Sequence, residues 1–327
     1  MHILITGAAG MLGRKLTERL VRDGALNGEP IAKLTLVDIT APATPPGFAG
    51  EIVATAVDLS IAGTADQLVA QRPHMIFHLA AVVSGEAELD FDKGYGVNLD
   101  GTRALLEAAR RLGDAYHPKL VFTSSIAVFG APYPATIADD FHLTPLTSYG
   151  TQKAICELLI SDYTRRGVLD GVGIRLPSIV VRPGKPNKAA SGFFSSIIRE
   201  PLSGQEAVLP VDDNVLHWHA SPRAAIGFLV HAASLTRDQL GPRVNLTMPG
   251  VCCTVAEQIA ALRRVAGDTA VARIRRAPDP LIMRIVAGWP SRFEPKRALA
   301  LGFKGEQSFD EIIRTHIEDE LGGKIAA

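Results

Sequence analysis

Short apolar runs and helical stripes alternate through the first half of the chain. His2–Thr6, Leu34–Asp38, Ile52–Asp58, Met75–Leu79 and Leu120–Thr123 are brief and mostly aliphatic, the pattern of strands buried on both faces. Between the first two lies Leu12-Leu16-Leu20, an i, i+4 stripe that ends near Gly24. A second stripe runs from Val97 to Leu112 through Leu105, Leu106 and Ala109. Strands alternating with helices at this spacing predict βαβ units and a mostly parallel sheet covered on both faces: an α/β, doubly wound architecture.

Past residue 175 the alternation weakens. The stretch RLPSIVVRPGKPNKAASG has little periodicity, and a helix-like segment, Phe193–Arg199, follows it. Pro222–Leu235 reads as a helix and Arg243–Thr247 as a returning strand. Thr254 and Glu257 form a capping box that opens a further helix. The expected organisation is a nucleotide-binding domain over 1–175, with returning segments at about 222–248. A smaller, mostly helical lobe is expected over 176–221 and 249–327.

Composition narrows the function. The chain has 327 residues, 47% hydrophobic and 21% charged, enough for one large α/β domain with an appended lobe. Lys plus Arg equals Asp plus Glu at 34 each, so no global basic field favours nucleic acid or an anionic membrane. The cluster Arg273, Arg275 and Arg276 reads as a solvated face. Three cysteines, two of them adjacent, make no disulfide framework and no zinc site, and point to a reducing, cytoplasmic setting. No apolar run approaches the roughly 18 residues of a membrane span. The N-terminus has no signal-peptide pattern and goes straight into a strand.

The first strand leads into Thr6-Gly7-Ala8-Ala9-Gly10-Met11-Leu12-Gly13. Gly7 permits a tight turn, Gly10 lets backbone approach a pyrophosphate, and Gly13 allows close helix–strand packing. The helix that follows offers unpaired N–H groups to the anion. Asp38, at the end of the second strand, suits the ribose hydroxyls and repels a 2′-phosphate. Ile39-Thr40-Ala41 supplies no cation that would offset this, which favours NAD over NADP. Asp38 also fits a plain strand-end turn. Asp58 is placed to reach the adenine.

Tyr149 and Lys153 stand four apart on a helix and share a face. A neighbouring ammonium favours the phenolate, which would make Tyr149 a usable base near neutrality. Ser124 and Ser125 end a strand where α/β sheets face their ligands, although strand-end serines also serve simply as turn residues.

Taken together these segments resemble the extended short-chain dehydrogenase/reductase family. The matching residues are Gly7, Gly10 and Gly13, Asp38, Asp58-Leu59, His78-Leu79-Ala80-Ala81, Asn98, Ser125, and Tyr149 with Lys153. The resemblance implies a Rossmann domain, a catalytic centre of Ser125, Tyr149 and Lys153, and hydride transfer through NAD. It puts Gly7, Gly10, Met11, Leu12, Gly13, Asp38, Asp58, Leu59, Leu79, Ala80, Ala81, Asn98, Tyr149, Lys153 and Pro177 in the cofactor site. It further implies a homodimer built on the helix through Leu99, Leu105 and Leu106 and the helix carrying Tyr149, Lys153 and Ile160.

Two departures argue against a nucleotide-sugar substrate. Many such members have Asn where Ser178 stands and a diphosphate-binding Arg where Leu216 stands. Losing a charge-assisted phosphate contact is costly for such a ligand. The lobe pattern resembles a group that oxidises the C2 hydroxyl of a four-carbon sugar acid. The expected substrate residues are Ser84, Ser125, Tyr149, Asn187, Ser191, Trp218, His219 and Arg223. Arg223 is the first choice for the carboxylate, with Lys185, Lys188 and His219 next. Trp218 also fits a core position, and His217 and His219, alternating on a strand, are expected to leave at most one facing the site. No metal is called for by hydride transfer. An epimerase or dehydratase that recycles NAD, and a non-catalytic NAD sensor, are the competing readings; a sensor commonly lacks the Tyr/Lys pair.

Overall fold

The computed structural model describes residues 1–184 and 191–326. In chain order the main elements open with β1 (His2–Thr6), α1 (Met11–Asp23), β2 (Lys33–Asp38), β3 (Glu51–Ala56), α2 (Thr64–Val69) and β4 (Met75–His78). Next come α3 (Gly101–Arg111), β5 (Lys119–Ser125), α4 (Ser148–Arg165) and β6 (Asp170–Leu176). The remainder contributes β7 (Ser178–Ile179), α5 (Gly192–Leu202), β8 (Leu216–Ala220), α6 (Pro222–Ser234) and β9 (Asn245–Thr247). It closes with β10 (Val251–Thr254), α7 (Val255–Val271) and α8 (Phe309–Glu320).

The chain divides into two compact units. The first holds 1–128, 147–175 and 226–246 and is built on a seven-stranded sheet of order β9-β6-β5-β4-β1-β2-β3. β1 pairs in parallel with β2 and β4, β2 with β3, and β4 with β5. This is the order of a dinucleotide-binding fold, in which the strand order reverses between β1 and β4 while the strands stay parallel. Leu4, Val37, Ile76, Leu120 and Phe122 of the strands are buried against Leu105 and Leu106 of α3 and Cys156 and Ile160 of α4. Full burial of one such side chain stabilises by about 1.5–3 kcal/mol. α1 ends where the apolar stripe does, with Gly24 in the left-handed region donating to Leu20 O. β3 departs from the expectation of strands buried on both faces: it is the edge strand, its ends exposed, and it stops at Ala56 rather than Asp58. The Val97–Leu112 stripe is also divided, a π-helical turn over Tyr95–Asp100 preceding α3.

The second unit holds 129–146, 176–225 and 247–327. Residues 129–146 were expected with the first domain. They pack here instead, with Phe129 against Phe293 at 5.8 Å and Ile137–Ala138 paired to Phe293–Glu294. A small sheet of order β7-β8-β10 packs with α5, α7 and α8, burying Val180, Phe194, Ile197, Leu262, Phe309 and Ile312. The Thr254–Glu257 capping box opens α7 as its sequence requires.

Candidate active site

The turn after β1 is a backbone cradle. Gly7 has φ +75°, and a Cβ on it would lie 2.6 Å from Ala80 N. A Cβ on Gly13 would lie 2.1 Å from Gly7 O. Only glycine allows the turn to press against the β4 loop and α1 to press against the turn. Met11 and Leu12 open α1, where backbone N–H groups lack helical partners. A cavity of about 270 Å³ lies beside the cradle, lined by Gly7, Gly10, Asp38, Ile39, Asp58, Leu59, Leu79, Ala80 and Ala81 among others. Asp38 accepts from Ala9 N at 3.0 Å and Ile39 N at 2.7 Å. Asp58 accepts from Ser60 N at 2.8 Å and its hydroxyl at 2.6 Å. The cavity wall also carries the pair Lys93 and Glu86, 2.6 Å apart, which sequence reasoning missed.

The cradle and the acid at the end of β2 fit an adenine dinucleotide: close backbone approach for the pyrophosphate, a carboxylate for ribose hydroxyls, apolar walls for the base. Asn98 is not on the cavity wall, contrary to its expected direct role. Buried, it accepts from Val82 N at 2.7 Å and donates to Val82 O and Gln152 Oε1, so its amide holds the loop after β4 instead. Pro177 is buried in the one-residue gap between β6 and β7. Ser84 is part-buried at the start of the helical turn Ser84–Leu89.

Ser125 ends β5, and Tyr149 and Lys153 occupy the first turns of α4, capped by the Thr147 hydroxyl on Gly150 N. Lys153 is buried; its Nζ donates to Thr123 O at 2.8 Å, lies 4.6 Å over the Phe122 ring and 5.7 Å from the Tyr149 ring centre. Burial pulls Lys153 down to about 8, with Cys156 and Glu157 pulling back up. Loss of solvent pushes Tyr149 up to about 12, opposed by a hydrogen bond with Ser125. Without further positive charge the Tyr149 hydroxyl is thus protonated at neutral pH, and the ammonium is directed at a carbonyl.

Sequence reasoning missed the network beneath these residues. Glu157, one turn beyond Lys153 and buried, accepts Ser124 Oγ at 2.5 Å and the Arg175 fork at 2.7–3.1 Å. This ties α4 to β5 and β6. His78 bridges Thr6 at 2.7 Å and Thr102 at 2.8 Å, and burial pulls it down to about 3, so it is a neutral strut. The available signals were a carboxylate four residues past Lys153 and an arginine inside an apolar strand.

Several lobe residues depart from expectation. Trp218 is core: 7% exposed, its indole donates to Met248 O at 3.1 Å and its ring packs on Phe293. His219 is fully buried, bonded to Gln258 at 2.9 Å and packed on Phe194 and Phe309. His217 and His219 share one face, rings 5.3 Å apart, because residues two apart on a strand point the same way. Burial keeps both neutral, His217 at about 4. Arg223 is half-exposed on α6 and paired with Glu318 at 2.9 Å and with Asp319, so its fork is already engaged by carboxylates. Ser191 stands at the N-cap of α5. Asn187, Lys185 and Lys188 lie outside the described residues. No group of three or more potential metal ligands occurs among the described residues.

The family described as NAD dependent epimerase/dehydratase matches residues 3–219. The chain belongs to that family, the extended branch of the short-chain dehydrogenases/reductases, and is an NAD-dependent oxidoreductase acting on CH–OH groups. It is 49% identical over 98% of both chains to a D-erythronate dehydrogenase of Cupriavidus necator. A D-erythronate dehydrogenase of Haemophilus influenzae is 41% identical over 98% of this chain and all of that one. A crystal structure described as a nucleoside-diphosphate-sugar epimerase from Agrobacterium tumefaciens is 65% identical, with a TM-score of 0.98 over all of this chain and 96% of the other.

Proposed function

We propose that this chain is a D-erythronate dehydrogenase, oxidising the C2 hydroxyl of the four-carbon sugar acid to the 2-oxo acid. The similarity over nearly full length to two enzymes of that name carries the substrate. Ser125 at the end of β5, with Tyr149 and Lys153 in the first turns of α4, supports the chemistry.

When bound, NAD⁺ supplies the hydride acceptor at C4 of its nicotinamide and a positive ring that favours the Tyr149 phenolate. Gly7, Gly10 and the first amides of α1 hold the pyrophosphate, and Asp38 holds the adenosine ribose. Tyr149 removes the proton from the substrate hydroxyl. Ser125 hydrogen-bonds the same oxygen and keeps it in line with the Tyr149 hydroxyl. Lys153 holds the nicotinamide ribose and, as a cation, opposes reprotonation of the phenolate. Ser84 and Ser191 are proposed to contact the remaining substrate hydroxyls and acid group. In this reading 1–175, with the returning segments at about 222–248, is the NAD-binding domain, and 176–221 with 249–327 is the substrate-binding lobe.

A homodimer through α3 and α4 is part of the proposal. Leu158 on α4 is 65% exposed while Cys156 and Ile160 of the same helix are buried, and Leu89 and Phe91, which precede α3 in the chain, are also exposed. Sedimentation that yields a concentration-independent monomer contradicts it. The cytoplasm is the proposed setting, in keeping with three free cysteines. No helix among the described residues is long and apolar enough to cross a membrane.

The epimerase description of the 65% identical structure motivates a second reading, in which NAD is recycled. Ser178 counts against it. It stands where a substrate-binding Asn would be, and its hydroxyl is bonded to the buried His217 at 2.7 Å. Leu216, in β8, offers no charge to a diphosphate. Incubation with NAD⁺ and four- to six-carbon aldonic acids or UDP-sugars, read as NADH absorbance, decides: net NADH with D-erythronate supports the dehydrogenase, while sugar isomerisation without net NADH overturns it.

A further inference from the structure

Arg182 follows β7 in the second unit and is part-buried. Its guanidinium Nη2 donates to Ser191 Oγ at 3.2 Å, and its backbone N–H donates to Ser195 Oγ at 3.1 Å. Its carbonyl accepts from Arg199 Nη1 at 2.6 Å, and Arg199 donates in turn to Glu200 Oε1 at 2.5 Å. Arg199 is thus paired with Glu200, while it reaches Arg182 through the backbone carbonyl. Among the described residues no carboxylate forms an ion pair with Arg182. The segment 185–190, KPNKAA, has no acidic side chain to offer. Desolvation and the charge of Arg199 both hold Arg182 below the usual arginine range. A part-buried cation left without a counter-ion is costly, and an anion arriving there restores the balance.

The surroundings suit an anion. Ser191 is the N-cap residue of the 11-residue α5, yet its side chain does not cap the helix. Its hydroxyl instead accepts from Arg182 and retains its own proton to donate. The first amides of α5 add the positive end of a helix dipole. A planar fork, a hydroxyl and a helix N-terminus form a donor set that matches a carboxylate better than a neutral hydroxyl. The alternative cation, Arg223, is half-exposed and already paired with two acidic side chains.

We propose that Arg182 and Ser191 form the subsite that takes the carboxylate of a small hydroxy acid. That this acid is D-erythronate rests on the function proposed above; the anion subsite itself does not. Arg199, neutralised by Glu200 and bonded to the Arg182 carbonyl, is a positioning residue.

The test uses the full chain as Arg182→Gln, Arg182→Lys and, as a control, Arg223→Gln. With D-erythronate and NAD⁺, Arg182→Gln raises KM roughly 10- to 100-fold, the loss of charge-assisted hydrogen bonds, while kcat changes by only a few-fold. Binding of NAD⁺ and KM for the neutral polyol erythritol stay unchanged, Arg182→Lys recovers part of the loss, and Arg223→Gln behaves as wild type. Calorimetric titration with D-glycerate in the presence of NADH reads the anion subsite independently of turnover. D-glycerate bound by the wild type and lost in Arg182→Gln supports the subsite even if D-erythronate is not oxidised, in which case only the substrate reading fails. D-erythronate oxidised with an unchanged KM in Arg182→Gln overturns the subsite and leaves the dehydrogenase standing. Equal losses for acid and polyol, or no D-glycerate binding by the wild type, also overturn it.

Discussion

The two units treat buried charge in opposite ways. Beneath the proposed catalytic residues of the first, Glu157 and Arg175 form an ion pair with Ser124 as a further donor. Around Arg182 in the second, the one glutamate pairs with Arg199, and Arg182 has no carboxylate partner among the described residues. A balanced pair is a structural rivet: it fixes the helix that carries Tyr149 and Lys153 whether or not anything is bound. An unbalanced cation is stable only with help from outside, which is what a recognition site requires. The histidines sharpen the contrast. His78 bridges two threonines within the sheet unit, whereas His217 and His219 sit neutral in an aromatic core with Phe194 and Phe309.

The largest expected effect tests the catalytic half of this contrast. Tyr149→Phe keeps the ring, removes the base and should lower kcat roughly 10²- to 10⁴-fold, with NAD⁺ affinity retained by fluorescence titration. Near-full turnover would end the mechanism. Glu157→Gln tests the rivet. Removing the carboxylate charge from this buried pair should cost about 3–5 kcal/mol in urea denaturation. A loss under about 1 kcal/mol would mean that the pair is no anchor.

Acid should weaken the histidine-bearing cores next. A histidine whose folded pKa lies below its unfolded value of 6.5 stabilises fully above that pH. It loses this contribution as pH falls toward the folded value, because only the unfolded chain takes up the proton. For His217 the window runs from 6.5 down to about 4, at up to roughly 1.4 kcal/mol per pH unit. His217→Asn should flatten the fall of Tm with pH across that window, and an unchanged slope would remove His217 as its source. Asp38→Ala should erode an NAD⁺ over NADP⁺ preference of about tenfold or more in kcat/KM, because the carboxylate meets the 2′-phosphate with no cation beside it. Equal use of both cofactors by the wild type would contradict that. The smallest effect is expected for Arg223→Leu, a half-exposed ion pair worth about 1 kcal/mol or less in stability.

Much of the first unit was legible in the sequence because its determinants are local. Three glycines at spacing three, a strand-end aspartate, and a tyrosine and lysine one helical turn apart each carry their meaning within a few residues. Apolar runs identify strands wherever both sheet faces are covered, and β3 departed from that pattern because it is the edge. Other features were decided by the tertiary structure, which brings distant residues together. Glu157 meets Arg175 across 18 positions, Arg223 meets Asp319 across 96, and Trp218 finds the Met248 carbonyl across 30. Whether a lobe cation is free or engaged depends on such pairings, and no spacing rule encodes them. Sequence alone thus determined the fold class and the glycine turn after β1, and it singled out the proposed reacting groups Ser125, Tyr149 and Lys153; these rest on backbone periodicity and short-range geometry. Only the folded chain decided that Arg223 is neutralised, that His219 and Trp218 are core, and that Arg182 lacks an acidic partner among the described residues, because charge balance is set by neighbours in space.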